Sequence, residues 1–239
     1  METEAQPAAR AATPIVTVRE LERSYEQGPL TVRALRGVDL EIEAGEFTAL
    51  MGPSGSGKTT LLNQIGALDK PTAGTVSIEG QDLTRLSSGE LSDLRLSRLG
   101  FIFQSYNLIP VLSALENAEF VLMLRGMGAG ERRRVVMETL ASVGLQGMER
   151  RRPSELSGGQ QQRVAVARAI AGKPALVLAD EPTANLDSKT GDDLIALMKR
   201  LNEEHGITFV FATHDPKVME AARRVIMLED GTIKQDIRK

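Results

Sequence analysis

The sequence predicts an α/β fold, a mostly parallel sheet covered on both faces by helices, with a helical lobe inserted into it. Two observations carry this. Short, mainly apolar runs that read as buried strands alternate with helical stretches: FTALMG at 47–52, ALVLAD at 175–180 and ITFVFATHD at 207–215. Strands buried on both faces belong to parallel sheets. From about 105 to 168 the strand signals then stop and helical ones take over.

In chain order, METEAQPAARAATP is small, polar and proline-containing and reads as a disordered tail over 1–14. IVTVREL (15–21) and TVRALRGVDLEI (31–42) alternate apolar and polar, as half-buried strands do. FTALMG leads directly into a glycine loop, and a helix is expected from Lys58 to Ala67. GTVSIEG is a strand between glycines, SSGELSDLRLSRLG a helix, and GFIFQ a buried strand ending at Gln104. The lobe holds helices over ALENAEFVLMLRG, GERRRVVMETLASVG and LSGGQQQRVAVARA, the last stopped by Gly172 with Pro174 beyond. Arg132, Arg133 and Arg134 read as a solvated helix face. Asp187 begins a helix with Leu194, Leu197, Met198 and Leu201 on one face, ending near His205-Gly206. The chain closes with strand, Asp-Gly turn and strand over 221–237.

With 239 residues, the chain has room for one large domain carrying an inserted lobe. A net charge of −3 gives no basic excess and predicts no nucleic-acid partner. The absence of cysteine excludes disulfides and thiolate metal sites. The N-terminus lacks a signal peptide's pattern, and no run approaches the roughly 18 apolar residues of a membrane span. A cytoplasmic chain is expected, and any work at a membrane would need another polypeptide.

Gly52-Pro53-Ser54-Gly55-Ser56-Gly57-Lys58-Thr59 fits G-x-x-x-x-G-K-[ST] at every fixed position, with a strand before it and a helix after it. Glycines allow close approach to phosphate, inward backbone N–H groups cradle it, and Lys58 sets a compact positive charge on the β and γ phosphates. The Thr59 hydroxyl is a candidate ligand for Mg²⁺. Asp180 ends a buried strand and is suited to hold that metal through its water shell, while Glu181, one residue on, is suited to polarise an attacking water. Two acids ending a strand in solvent is the competing account, weakened by the loop beside them. His214 follows an apolar strand at the sheet's carboxyl end, which suits a γ-phosphate contact, although lone histidines there are more often structural. Gln104, ending its strand, is a candidate whose amide could reach metal or water. Tyr25, in a polar loop between the first two strands, could stack on a base but reads more simply as packing or surface.

LSGGQQQR offers a second bare helix start. Ser157 and Gln160 have capping-box spacing, and Gly158 and Gly159 leave the backbone open, so this N-terminus also suits an anion.

GPSGSGKTT, Gln104, LSGGQQQR, LVLADE, Asp187 and His214, in this order, resemble the nucleotide-binding subunits of ABC transporters, a P-loop NTPase family. The resemblance runs from about residue 15 to the end. GFIFQSYNLIPVLSALENAEFVLMLRG and RPSELSGGQQQRVAVARA look most like the lipoprotein-release, macrolide-export and cell-division branch (LolD-, MacB- and FtsE-type). It implies an antiparallel β subdomain beside the parallel core and a helical subdomain at about 105–168. It implies ATP and Mg²⁺ as ligands, with Thr60 beside Thr59 in the cradle. Two chains would pair head to tail, so that Ser157, Gly158, Gly159 and Gln160 close on the partner's ATP. Tyr25 would stack on adenine, Gln104 meet Mg²⁺ and the attacking water, Glu181 act as base and His214 touch the γ-phosphate. Asp187 would sit in the loop joining the dimer halves, which here reads Thr183-Ala184-Asn185-Leu186-Asp187. The segment Ser105 to Leu124 would include the face toward a membrane permease, setting the subunit at the inner face of the cell membrane. The implied output is export or extraction of a lipophilic cargo such as lipoprotein; the alternative is mechanical signalling of the cell-division type without transport. Soluble family members with tandem cassettes or long coiled coils fit less well, and LSGGQ disfavours a simple P-loop kinase.

Overall fold

A computed structural model describes residues 14–239. The tail expected over 1–14 lies outside the described residues except for Pro14.

Two sheets form the frame. The first, ordered β10-β9-β3-β8-β7-β6, contains β3 (Phe47–Met51), β6 (Leu99–Ile102), β7 (Leu176–Asp180), β8 (Thr208–Ala212), β9 (Arg224–Glu229) and β10 (Thr232–Arg238). All of its pairings are parallel except β10 against β9. The second, antiparallel and ordered β2-β1-β4-β5, contains β1 (Val16–Gln27), β2 (Leu30–Ile42), β4 (Ala73–Ile78) and β5 (Gln81–Asp82). The expected α/β architecture, parallel core and antiparallel subdomain are present.

Strand periodicity sorts the core into two layers, because successive side chains point to opposite faces. Phe47, Ala49, Val177, Ala179, Phe209 and Phe211 face one cluster. Their neighbours Leu50, Leu176, Leu178, Val210 and Ala212 face the other. The first layer is covered by α6 (Ser188–His205) and by the lobe helices α3 (Ala114–Leu124), α4 (Ala129–Ser142) and α5 (Gly158–Ala171). The second is covered by α1 (Lys58–Ile65), α2 (Ser88–Arg98) and the antiparallel sheet. A short α7 (Pro216–Ala221) completes the set.

Three readings are corrected. β1 and β2 form one long hairpin, so Tyr25 lies within β1 opposite Val32, not in a loop. The outer half of this ribbon is polar and largely exposed, so alternation gives no signal there. β6 ends at Ile102, leaving Gln104 two residues beyond it in a turn. Gly172 is not a left-handed stop: its φ is −78°, and Lys173 takes the positive φ of 49°. Gly172 must instead be bare for Arg125, since a Cβ there would stand 2.6 Å from the guanidinium. Arg125 donates to the carbonyls of Gly172 (2.5 Å) and Leu96 (2.6 and 2.8 Å), tying the lobe to the ends of α5 and α2.

Arg224 locks the far edge of the parallel sheet. Its side chain, 7% exposed, forms a two-pronged pair with Asp236 (2.8 and 2.7 Å) and also meets Glu46 (3.0 Å) and the Glu41 carbonyl (2.7 Å). The Arg224 hydrogen bonds hold the Asp236 carboxyl below its usual range, outweighing burial. Arg224→Met should destabilise by about 1–3 kcal/mol in a denaturant titration, because it removes the charge-assisted hydrogen bonds to Asp236 and Glu46 while both keep partial access to water or other partners. A depressed carboxyl contributes fully above its unfolded pKa and is lost on acidification. The gap between wild type and variant should therefore narrow below about pH 4.

Candidate active site

The glycine loop bends from β3 into α1 with Gly52, Gly55 and Gly57 at φ 144°, 79° and 104°. The chain itself demands two of these. A Cβ on Gly52 would stand 2.0 Å from the Leu228 carbonyl oxygen, and one on Gly57 2.7 Å from that of Ala34. Only Gly55 faces open space. The first two are therefore set by contact with β9 and β2, a reason beyond the close approach to phosphate read from the sequence. Helix α1 starts at Gly57 without a side-chain cap, so first-turn N–H groups are available to another acceptor. Lys58 Nζ donates to the carbonyls of Gly52 (2.8 Å) and Pro53 (2.9 Å), which holds the ammonium across the loop with one proton left to give.

Asp180 closes β7 opposite this loop, its Oδ1 accepting from the Thr59 hydroxyl at 3.0 Å. Burial, the largest influence, pushes the Asp180 carboxyl up and Glu181 adds to the rise; the Thr59 hydrogen bond and Lys58 oppose it. Glu181 sits at φ 44°, a left-handed conformation unfavourable for a side chain of this kind. Its Oε2 accepts from the Thr213 hydroxyl (3.0 Å), and its Oε1 lies 2.7 Å from His214 Nδ1. The Gln104 carbonyl accepts from Asn185 Nδ2 at 2.9 Å, joining the loop after β6 to the 183–187 loop.

Tyr25 is anchored twice. Its hydroxyl donates to Asp69 Oδ2 (2.8 Å), and the Arg23 guanidinium stands 4.4 Å from its ring centroid. Arg23 and Gln64 also donate to Asp69, so the ring is braced by a network from β1, α1 and the loop after it.

One open cleft of about 620 Å³ gathers Tyr25, Ser54, Gly55, Gly57, Lys58, Thr59, Thr60, Gln104, Glu181 and His214, with Ala34 and Ala184, which the sequence did not single out. Gly52, Pro53 and Ser56 form the loop behind it, and Asp180 reaches it through Thr59. Ser157, Gly158, Gly159, Gln160 and Asp187 do not line this cleft.

Those five residues lie instead at the starts of α5 and α6, where Thr190 links Gly159 to Asp187. Ser157 Oγ accepts from Gln160 N (3.3 Å), and Gln160 Oε1 accepts from Ser157 N (3.0 Å), a capping box at the start of α5. Asp187 caps α6 through Thr190 N (3.0 Å) and also accepts from the Thr190 hydroxyl (2.6 Å). The glycines have structural reasons beyond a bare backbone. A Cβ on Gly158 would stand 2.9 Å from the Tyr106 hydroxyl, and one on Gly159 2.3 Å from Thr190 Cγ2.

Arg168 and Thr213 were missed. Arg168 lies in α5 and donates to the carbonyls of Tyr106 (2.9 Å) and Asn107 (2.5 Å), two residues at φ 59° and 49°. Burial pushes its guanidinium pKa down. These partners are 61 and 62 positions away, so no local pattern could have marked them. For Thr213 the only signal was its place in ATHD beside His214.

A P-loop, two carboxylates at a strand end and a separate capped LSGGQ helix on an α/β frame define an ATP-binding cassette. The family model described as ABC transporter matches residues 35–184, and the chain belongs to that family as an ATPase domain. It is 46% identical over 226 residues to the uncharacterized ABC transporter ATP-binding protein MJ0796 of Methanocaldococcus jannaschii, covering 93% of this chain and 96% of that one. It is 47% identical to the lipoprotein-releasing system ATP-binding protein LolD of Anaeromyxobacter dehalogenans, covering 94% and 95%. It is 43% identical to the macrolide export ATP-binding/permease protein MacB of Syntrophobacter fumaroxidans, but spans only 31% of that longer protein. Among solved structures, a dimeric post-hydrolysis state of MJ0796 bound to ADP and Pi superimposes with a TM-score of 0.86 at 45% identity, covering 93% of this chain and 98% of that one. Among the described residues, no helix is long and apolar enough to cross a membrane.

Gly159→Ala should cost about 1–3 kcal/mol in denaturant unfolding, because Thr190 is pinned by Asp187 and cannot turn its methyl away. Adding Thr190→Ser, which keeps the hydroxyl and removes that methyl, should recover most of the loss. No recovery would show that the contact is not the cause.

Proposed function

We propose that the chain hydrolyses ATP, pairs with a second copy when ATP binds, and drives a membrane permease that exports or extracts lipoprotein or another lipophilic cargo. The observation that carries the catalytic part is the convergence on one cleft of the P-loop, the Thr59–Asp180 pair and a Glu181 carboxylate held through both oxygens.

In this reading the loop N–H groups and Lys58 hold the β and γ phosphates of the substrate, and the exposed face of Tyr25 takes the adenine. Thr59 and Asp180 would hold Mg²⁺, with Gln104 nearby. The donor set fits that ion: the Thr59 hydroxyl and the Asp180 carboxylate stand together, 3.0 Å apart, at the mouth of the loop. One carboxylate and one hydroxyl, completed by substrate phosphates and water, is a magnesium arrangement. When bound, Mg²⁺ neutralises charge on the phosphate oxygens. Glu181 accepts a proton from the attacking water as the terminal phosphate is displaced from ADP. His214 and Gln104 orient the γ-phosphate and that water.

Dimerisation is supported by the separation of the LSGGQ signature, residues 156–160, from its own chain's cleft. Ser157, Gly158, Gly159 and Gln160 would meet the nucleotide of a second copy, with Asp187 in the loop between the halves. The dimeric MJ0796 structures lend this weight. The permease reading rests on the names of the LolD and MacB relatives. It is also supported by a groove between core and lobe lined by Leu68, Phe101, Phe103, Val121 and Arg125, and by the exposure of Val111, Met123 and Leu124 within the segment Ser105 to Leu124. Such a partner would hold the chain at the inner face of the cell membrane.

Glu181→Gln should keep ATP binding while hydrolysis falls by about 10² to 10⁴, since the amide cannot accept the proton. The variant should accumulate as an ATP-bound dimer on size exclusion. Near-normal turnover would remove Glu181 from this role.

A further inference from the structure

We infer that Thr213 is a positioning residue for hydrolysis: its buried hydroxyl fixes the Glu181 carboxylate in its working direction. The inference rests on the reading of Glu181 as the base.

The hydroxyl's bonding is fully determined. Thr213 is 0% exposed, so bulk water does not compete for it. Its backbone N–H donates to the Leu50 carbonyl (3.1 Å), tying it to β3 immediately before the P-loop. Its Oγ1 accepts from Asp215 N at 3.0 Å. A hydroxyl has one proton, and with one lone pair so engaged the proton is aimed at Glu181 Oε2, 3.0 Å away.

Asp215 is itself held. It caps α7 by accepting from Lys217 N (2.9 Å), and its other oxygen accepts from the Thr183 hydroxyl (2.8 Å). Thr183 is two residues after Glu181, so the hydrogen bonds close a ring: Glu181, Thr213, Asp215, Thr183 and back along the chain to Glu181. This ring joins the ends of β7 and β8 through side chains and braces the left-handed backbone of Glu181, a conformation that persists only where its surroundings enforce it.

His214 holds the other carboxylate oxygen, but from an exposed position. Its side chain is 75% exposed, and its bond to Glu181 lies at the cleft surface where substrate arrives. When the imidazole turns to phosphate, Glu181 Oε1 loses a partner. Thr213 stays, keeping one oxygen tethered and the other free to take the water's proton. The hydroxyl thus orients the base without touching the substrate, and its removal should lower kcat with little effect on KM.

The test compares Thr213→Ser with Thr213→Ala, a pair that differs only by the hydroxyl, in steady-state ATPase assays with MgATP. The serine variant should stay within about threefold of wild type. The alanine variant should lose about tenfold to hundredfold in kcat, with KM within about threefold, as expected for misorienting a reacting group. In a Glu181→Gln background, changing Ser to Ala should add no further loss, because the group it orients is already disabled. Equal kcat for the two variants would overturn the inference, as would a loss of the same size in the Glu181→Gln background. If the alanine variant unfolds at lower temperature and the serine variant is equally slow, Thr213 is a packing residue and the inference fails. Near-normal hydrolysis by Glu181→Gln alone would instead bring down the base assignment, and this inference with it.

Discussion

The site depends on the parallel backbone ladder that brings the carboxyl ends of β3, β8 and β7 level. Ala212 stands opposite Leu50 on one side and Asp180 on the other. Within two residues of that line the chain supplies Gly52, Glu181, Thr213 and His214. No long loop is needed to gather them, because each leaves the sheet at the same height. The same register sorts Phe47, Phe209 and Phe211 into one core layer and Leu50, Leu176 and Leu178 into the other. A one-residue slip would exchange the layers and turn Asp180 away from Thr59, so the packing of the interior and the position of the carboxylate are one constraint.

A second set of contacts ties the signature helix to this line from within the chain. Gln162, buried in α5, donates to the Pro182 carbonyl (2.8 Å), one residue after Glu181. Arg168 in the same helix holds the loop that follows Gln104, and Asn185 holds Gln104 itself. Gly159 packs on Thr190, whose partner is Asp187. The surface proposed to meet a partner's nucleotide is therefore joined through short contacts, the Gln162 bond buried among them, to the loops around its own cleft. Movement at one would be felt at the other through packed groups rather than through a flexible linker.

Much of this was legible in the sequence where the chemistry is contiguous. The P-loop, Asp180-Glu181 and LSGGQ each occupy one short stretch whose spacing is set by a turn or a helix cap, and the apolar runs marked the parallel sheet. Legibility failed where a role depends on distant partners. Tyr25 was assigned to a loop because an exposed ribbon has no apolar face to reveal it. Gly172 does end α5, but its bareness answers to Arg125, 47 positions away, rather than to a left-handed cap. Thr213 and Arg168 look like any buried threonine and any helix arginine until the fold brings Glu181 and the Tyr106 carbonyl to them.

In the proposed dimer the two phosphate cradles of one chain would serve two different nucleotides. Ser157→Arg tests this directly. The substitution forfeits a helix cap worth about 1 kcal/mol, which a folded domain tolerates, and sets a bulky cation where the partner's nucleotide would close. The measurement is ATP hydrolysis by the purified variant, free of wild-type chain, beside ATP binding by titration. Normal binding at the variant's own P-loop and no turnover are expected. Strong hydrolysis by Ser157→Arg would contradict this arrangement.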